Sequence, residues 1–108
     1  MRLVARYISS NLNLEGHVTD LSPDGLFFSS DFLDGPGEPA RVWLEIPPHV
    51  GADSGRIELR GEVRWVNDAA HAGGMGIRIH HASVEDRVLL SSLASGAIDL
   101  EGAASGHA

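Results

Sequence analysis

The sequence predicts an all-β domain, a barrel or sandwich of short strands, with one α-helix near the carboxyl end. Three observations lead there. Turn-forming clusters recur at short intervals: Ser10-Asn11, Pro23-Asp24-Gly25, Asp34-Gly35-Pro36-Gly37, Pro47-Pro48, the segment between Gly51 and Gly55, and Asn67-Asp68. Gly and Asn tolerate positive φ, and Pro presets φ for a turn. Between these clusters the apolar residues alternate with polar ones, the mark of a strand with one wet face. Only one segment, close to the end, changes to helical spacing.

The first twenty residues read as a hairpin, with residues 2–9 and 14–20 as its arms. Leu3, Ala5 and Tyr7 are assigned to the core, because the opposite face would bury Arg2 and Arg6. Residues 26–29 form a short strand with either Phe27 or Phe28 inward. Residues 41–46 turn Val42, Leu44 and Ile46 inward and Trp43 outward, and Pro47-Pro48 ends the strand because Pro cannot donate to a ladder. Residues 56–66 give the clearest alternation. Ile57, Leu59, Val63 and Trp65 share the inward parity, and Arg56, Glu58, Arg60, Glu62 and Arg64 the outward one. Gly61 interrupts that parity and marks a bulge or bend. Met75, Ile77 and Ile79 form the last alternating set. A helix follows over 84–94, with Ser83 as N-cap, Asp86 in a capping-box-like position and Gly96 as the stop. Val84, Val88, Leu89 and Leu93 recur at helical spacing, and Val84, Val88 and Leu89 are its expected core-facing stripe.

A chain of 108 residues suits one domain. Residues 1–95 make up that domain, and the small, polar residues 96–108 are expected to be a disordered tail. There is no cysteine, so disulfides, zinc thiolates and thiol catalysis are excluded. Fifteen acidic and eight basic residues give a formal net charge of −7, which opposes general binding to DNA or RNA. No apolar run approaches the roughly 20 residues of a membrane span, and no charged-then-apolar leader opens the chain; a cytoplasmic location is expected. All eight basic residues are Arg, which together with the Ala and Gly content points to a GC-rich bacterial genome.

The most informative segment is Asp20-Leu21-Ser22-Pro23-Asp24-Gly25, which reads D-x-S-x-x-G between two strands. Ser22 and Asp20 can bond nearby backbone or a ligand edge, and Gly25 permits a positive φ or a close approach. Taken locally, the segment reads first as a plain β-turn with an Asx or Ser bond. Downstream stand Gly25-Leu26-Phe27, Val42-Trp43-Leu44-Glu45-Ile46-Pro47, Gly61-Glu62-Val63-Arg64-Trp65-Val66 and Gly74-Met75-Gly76-Ile77-Arg78-Ile79. In this order and spacing the motifs resemble the PilZ domain family, and a PilZ-like subgroup in particular, over about residues 2 to 95.

The resemblance implies a six-stranded antiparallel β-barrel with one C-terminal α-helix. It also implies a bacterial signalling adaptor that is not an enzyme, binds cyclic di-GMP and regulates a protein partner in motility or surface behaviour. Its ligand residues would be Asp20, Ser22 and Gly25, with Arg2 and Arg6 supplying the family's R-x-x-x-R. Two readings of that pair stand side by side. As phosphate clamps, the two guanidiniums would lie on a mobile start of the chain. As solvated strand residues they would be about 13 Å apart, and only thirteen residues separate Arg6 from Asp20. The alternative function is an interaction module that has lost the nucleotide. Trp43 is the candidate partner anchor if exposed; otherwise it packs under the helix. Arg78 lies outward beside Gly76, either in a basic rim or as a solvated strand residue. His80 and His81 cannot chelate together, since adjacent strand residues point to opposite faces, and with His49 and His71 they are expected to be surface histidines rather than metal ligands. No catalytic residue, metal ligand or cofactor is assigned; no nucleophile elbow, zinc motif or phosphate loop is present.

Overall fold

The computed structural model describes residues 2–46, 55–69 and 73–95. The Pro47-Pro48 stop, the turn over 51–54, His49, His71, the Gly96 stop and the tail over 96–108 lie outside the described residues.

Six strands precede one helix: β1 (Leu3–Ser9), β2 (Asn13–Ser22), β3 (Gly25–Ser29), β4 (Pro39–Glu45), β5 (Arg56–Asn67), β6 (Gly74–His81) and α1 (Val84–Ser95). The strands close into a barrel in the order β1-β2-β3-β6-β5-β4, with every adjacent pair antiparallel. Four of the pairings join strands consecutive in sequence. The β3–β6 and β1–β4 pairings close the cylinder.

The alternation of the sequence becomes the inside and outside of this barrel. Leu3, Ala5 and Tyr7 on β1 are buried, as are Val42 and Leu44 on β4, Ile57, Leu59 and Val63 on β5, and Met75, Ile77 and Ile79 on β6. Ile46, just beyond β4, is buried too. Fully burying a side chain of this size contributes roughly 1.5–3 kcal/mol. On β3 the register settles the phenylalanine doublet: Phe28 is buried and packs near Tyr7 with ring centroids 5.5 Å apart, while Phe27 faces outward.

Tyr7 brings a hydroxyl into the core, which needs a partner. It donates to Asp34 Oδ2 at 2.5 Å, and Ser9 Oγ donates to the same oxygen at 2.6 Å. Asn11 Nδ2 donates to Asp34 Oδ1 at 3.1 Å. The β3–β4 connection is thus pinned onto the β1–β2 hairpin by one buried carboxylate. Burial raises the proton affinity of Asp34, but the bonds from Ser9, Tyr7 and Asn11 outweigh it and hold its pKa below the ordinary carboxylate value. For Tyr7, burial comes first and the neighbouring Asp34 second; both push the phenol pKa well upward.

Two irregularities interrupt the β5–β6 ladder, the first with its extra residue on β6 and the second with its extra residue on β5. The register shifts between Arg60 and Gly61, where the sequence marked an irregularity, and again between Val63 and Trp65. A Cβ on Gly61 would overlap the carbonyl oxygen of Arg78, so only glycine fits there. The second bulge corrects the expected parity. Val63 pairs with Ile77 and Trp65 with Gly76, so one extra residue on β5 rotates Trp65 out of the core. Trp65 is 53% exposed.

The helix begins as expected: Ser83 Oγ accepts from Asp86 N at 3.0 Å. Its buried stripe differs. Leu90 and Leu93 are buried and Leu89 packs against them, whereas Val84 and Val88 are exposed. At about 100° per residue, Leu93 lies on the opposite side of the helix from Val84, so the side that buries Leu90 and Leu93 leaves Val84 exposed.

Candidate functional site

The D-x-S-x-x-G segment forms the β2–β3 hairpin. Ser22 pairs with Gly25, which leaves Pro23 and Asp24 as the loop. Pro23 cannot donate, so the backbone bonds of the turn fall to its neighbours. Ser22 Oγ accepts from Gly25 N at 3.1 Å and Asp24 N at 3.3 Å, and lies 3.2 Å from Gly25 O as donor. Of the two roles open to Gly25, the structure uses close approach: a Cβ there would stand 2.9 Å from the Ile77 carbonyl oxygen. Ile79 N also donates to Asp24 O at 2.8 Å, which ties β6 to the turn. Arg87 of α1 reaches the same turn, donating to Pro23 O at 3.3 Å.

This turn forms one wall of an open cleft of about 590 Å³ on the outside of the barrel. The turn contributes Asp20, Ser22, Asp24 and Gly25 to its lining, and the strands beyond β3 contribute Arg78 from β6 and Arg64 and Trp65 from β5. Phe27 and Trp65 lie in the cleft with stacked rings, centroids 5.3 Å apart and planes 24° from parallel. Two glycines of β6 seat these rings. A Cβ on Gly76 would overlap Cε2 and Nε1 of Trp65, and one on Gly74 would lie 2.6 Å from Phe27 Cζ. The G-M-G triplet therefore alternates: Met75 fills the core while its flanking glycines give the aromatic rings room on the outer face.

The structure brings Asp20, Ser22 and Gly25 together in this cleft and places Arg6 elsewhere. Arg6 is inside β1, paired with Glu15 and Trp43 on the neighbouring strands, and its Nη1 donates to Asn13 Oδ1 at 2.8 Å. Arg2 precedes β1, with Nη2 3.4 Å from His17 Nδ1. Neither borders the cleft. Trp43 is outward and half-buried, with the Arg56 guanidinium 4.9 Å from its ring centroid. It borders a second depression with Val4, Arg6, Ile8 and Glu15.

Sequence reasoning placed Trp65 in the core and Arg64 among the solvated strand residues, so it missed both as cleft residues. The available signal was Gly76, an outward-facing glycine within a strand, which marks the close approach of another group.

The model of the PilZ domain family matches residues 1–96. Among solved structures, the chain is similar to the inhibitor of motility MotI/DgrA of Bacillus subtilis. The two share 17% identity at a TM-score of 0.71, over 90% of this chain and 46% of that one. It is also similar to the PilZ domain of CeSA from a cellulose-synthesizing bacterium, with 16% identity, a TM-score of 0.60 and coverage of 90% and 93%. This chain thus spans about half the length of the motility inhibitor. No curated protein matches it significantly. Among the described residues, no helix is long and apolar enough to cross a membrane.

Proposed function

The chain belongs to the PilZ domain family, a family of non-enzymatic cyclic di-GMP-binding signalling domains, and from that premise we propose that it is a cytoplasmic cyclic di-GMP-responsive adaptor that regulates a protein partner. The observation that carries this reading is the cleft, in which the Asp20 to Gly25 turn faces a pair of stacked aromatic rings. In this reading the Asp20 carboxylate accepts from the N–H edge of a guanine. Gly25 keeps the turn close against β6, so the base lies next to backbone. The exposed face of Trp65 offers a π-surface for stacking, which is worth about 1–3 kcal/mol per base. Ser22 acts indirectly, since its hydroxyl is engaged in holding the turn. Ligand in the cleft would change the surface around Pro23, where Arg87 attaches α1, and the partner would read that surface. By analogy with the motility inhibitor, the pathway is motility or surface behaviour.

The position of Arg6 favours a second reading, in which the barrel is an interaction module without nucleotide. Trp43 and Arg56 would then form the partner-docking face. Calorimetric titration of the full chain with cyclic di-GMP at moderate salt separates the two. The first reading expects micromolar or tighter binding. Absence of heat at high ligand concentration refutes it and leaves the interaction module.

A further inference from the structure

The chain has eight arginines, and six have a partner: Arg2 with His17, Arg6 with Asn13, Arg41 and Arg60 with Glu58, Arg56 with the Trp43 ring, and Arg87 with the carbonyl of Pro23. Among the described residues the side chains of the other two, Arg64 and Arg78, have neither an ion pair nor a hydrogen bond. Both are exposed, and both border the cleft.

Their placement follows from the strands. The bulge between Val63 and Trp65 puts Arg64 and Trp65, consecutive in sequence, on the wet face together. Arg78 stands on β6 between Gly25 and Glu62 in the pairing. Gly25 has no side chain to obstruct it, so Arg78 is open toward the turn. Glu62, the nearest acidic residue in register, is engaged elsewhere, with Oε1 2.7 Å from His80 Nε2. The chain carries a net charge of −7, so two uncommitted guanidiniums on one cleft are a local exception to its acidity. Their fork geometry matches phosphate oxygens. Asp20 and Asp24 line the same cleft, so it combines cationic and acidic groups. That combination suits a ligand with anionic phosphates and a base whose edge donates hydrogen bonds.

We infer that Arg64 and Arg78, rather than Arg2 and Arg6, are the residues that hold the phosphates of the dinucleotide in this chain. This rests on the reading of the cleft as a cyclic di-GMP site. It moves the cationic half of the site from the amino-terminal segment onto β5 and β6, where two paired strands hold it before ligand arrives. Little ordering of the chain is then needed on binding.

The test is calorimetry of the full chain with cyclic di-GMP at two salt concentrations, using wild type, Arg64→Ala, Arg78→Ala, Arg2→Ala and Arg6→Ala. Circular dichroism and thermal melts confirm that each variant is folded. Loss of a charge-assisted phosphate contact corresponds to about tenfold or more in affinity. Arg64→Ala and Arg78→Ala should each weaken binding by that factor and flatten its salt dependence. Arg2→Ala and Arg6→Ala should stay within about twofold of wild type. Wild-type binding that survives both cleft substitutions but is lost in Arg6→Ala overturns this inference and leaves the nucleotide reading intact. Absence of binding by the wild type overturns both.

Discussion

Replacing Gly76 by alanine tests whether the outer-face aromatic pair is built on the glycine beneath it. The added Cβ would overlap the Trp65 indole, so the ring must lift off β6 and away from Phe27. Trp65 is 53% exposed, so about half of its surface is covered. Taking a tryptophan at about 200–250 Å², roughly 100 Å² is at stake, an upper limit of about 2.5 kcal/mol at 25 cal/mol per Å². The ring will recover part of that contact in a new position. Removing a glycine from a strand also stabilises by roughly 0.5–1 kcal/mol. The net expectation is a loss of about 1 kcal/mol in the wild-type background. With Trp65→Ala already present there is no ring to displace, and Gly76→Ala should be neutral or stabilising by up to about 1 kcal/mol. Urea denaturation of the four proteins of this cycle, followed by far-ultraviolet circular dichroism, gives the coupling, expected at about 1–2 kcal/mol. A coupling within about 0.3 kcal/mol of zero would refute the reasoning and show that Gly76 serves the backbone alone.

Two further outcomes follow from the core and the helix. Asp34→Asn should cost about 1–3 kcal/mol at neutral pH, because the buried hydroxyls of Tyr7 and Ser9 lose a charged acceptor. The folded-state pKa of Asp34 is depressed, so its contribution is present above the ordinary value of 3.8 and is lost as pH falls through the lower folded value. Urea midpoints of wild type and variant should therefore converge in acid; curves that stay parallel down to pH 2 would contradict the assignment. Ser83→Ala should lower stability by about 1 kcal/mol through loss of the cap on Asp86 N, measured by thermal melting, and an unchanged midpoint would mean that the helix start is held by other contacts.

The barrel was legible because its information is periodic. Leu3, Ala5 and Tyr7, and likewise Val42 and Leu44, could be assigned inward from alternation and the cost of burying Arg2 and Arg6. Alternation fails where the count of residues on two strands differs. The bulge after Val63 carries no obvious residue signal, since Arg64 is an ordinary strand residue, and so Trp65 was assigned to the core. The helix stripe failed for another reason. Valine and leucine are equally apolar, and which side of α1 meets the barrel depends on Leu90 and Leu93 fitting the core. For the site, the Asp20 to Gly25 turn was readable because its chemistry is contiguous in sequence. The rest of the cleft was not, because Arg64, Trp65 and Arg78 come together only through the β5–β6 register.

Closure of the sheet between β1 and β4 limits how any second molecule can attach. Within the described barrel each strand has a hydrogen-bonded neighbour on both flanks, so the sheet has no edge strand. An extended peptide therefore finds no full-length edge to extend. Recognition then falls to side chains on the convex wall or on α1, and side chains can be exchanged one at a time without disturbing the ladder beneath. The same cylinder can therefore acquire or lose partners by a few surface substitutions while its interior stays as it is.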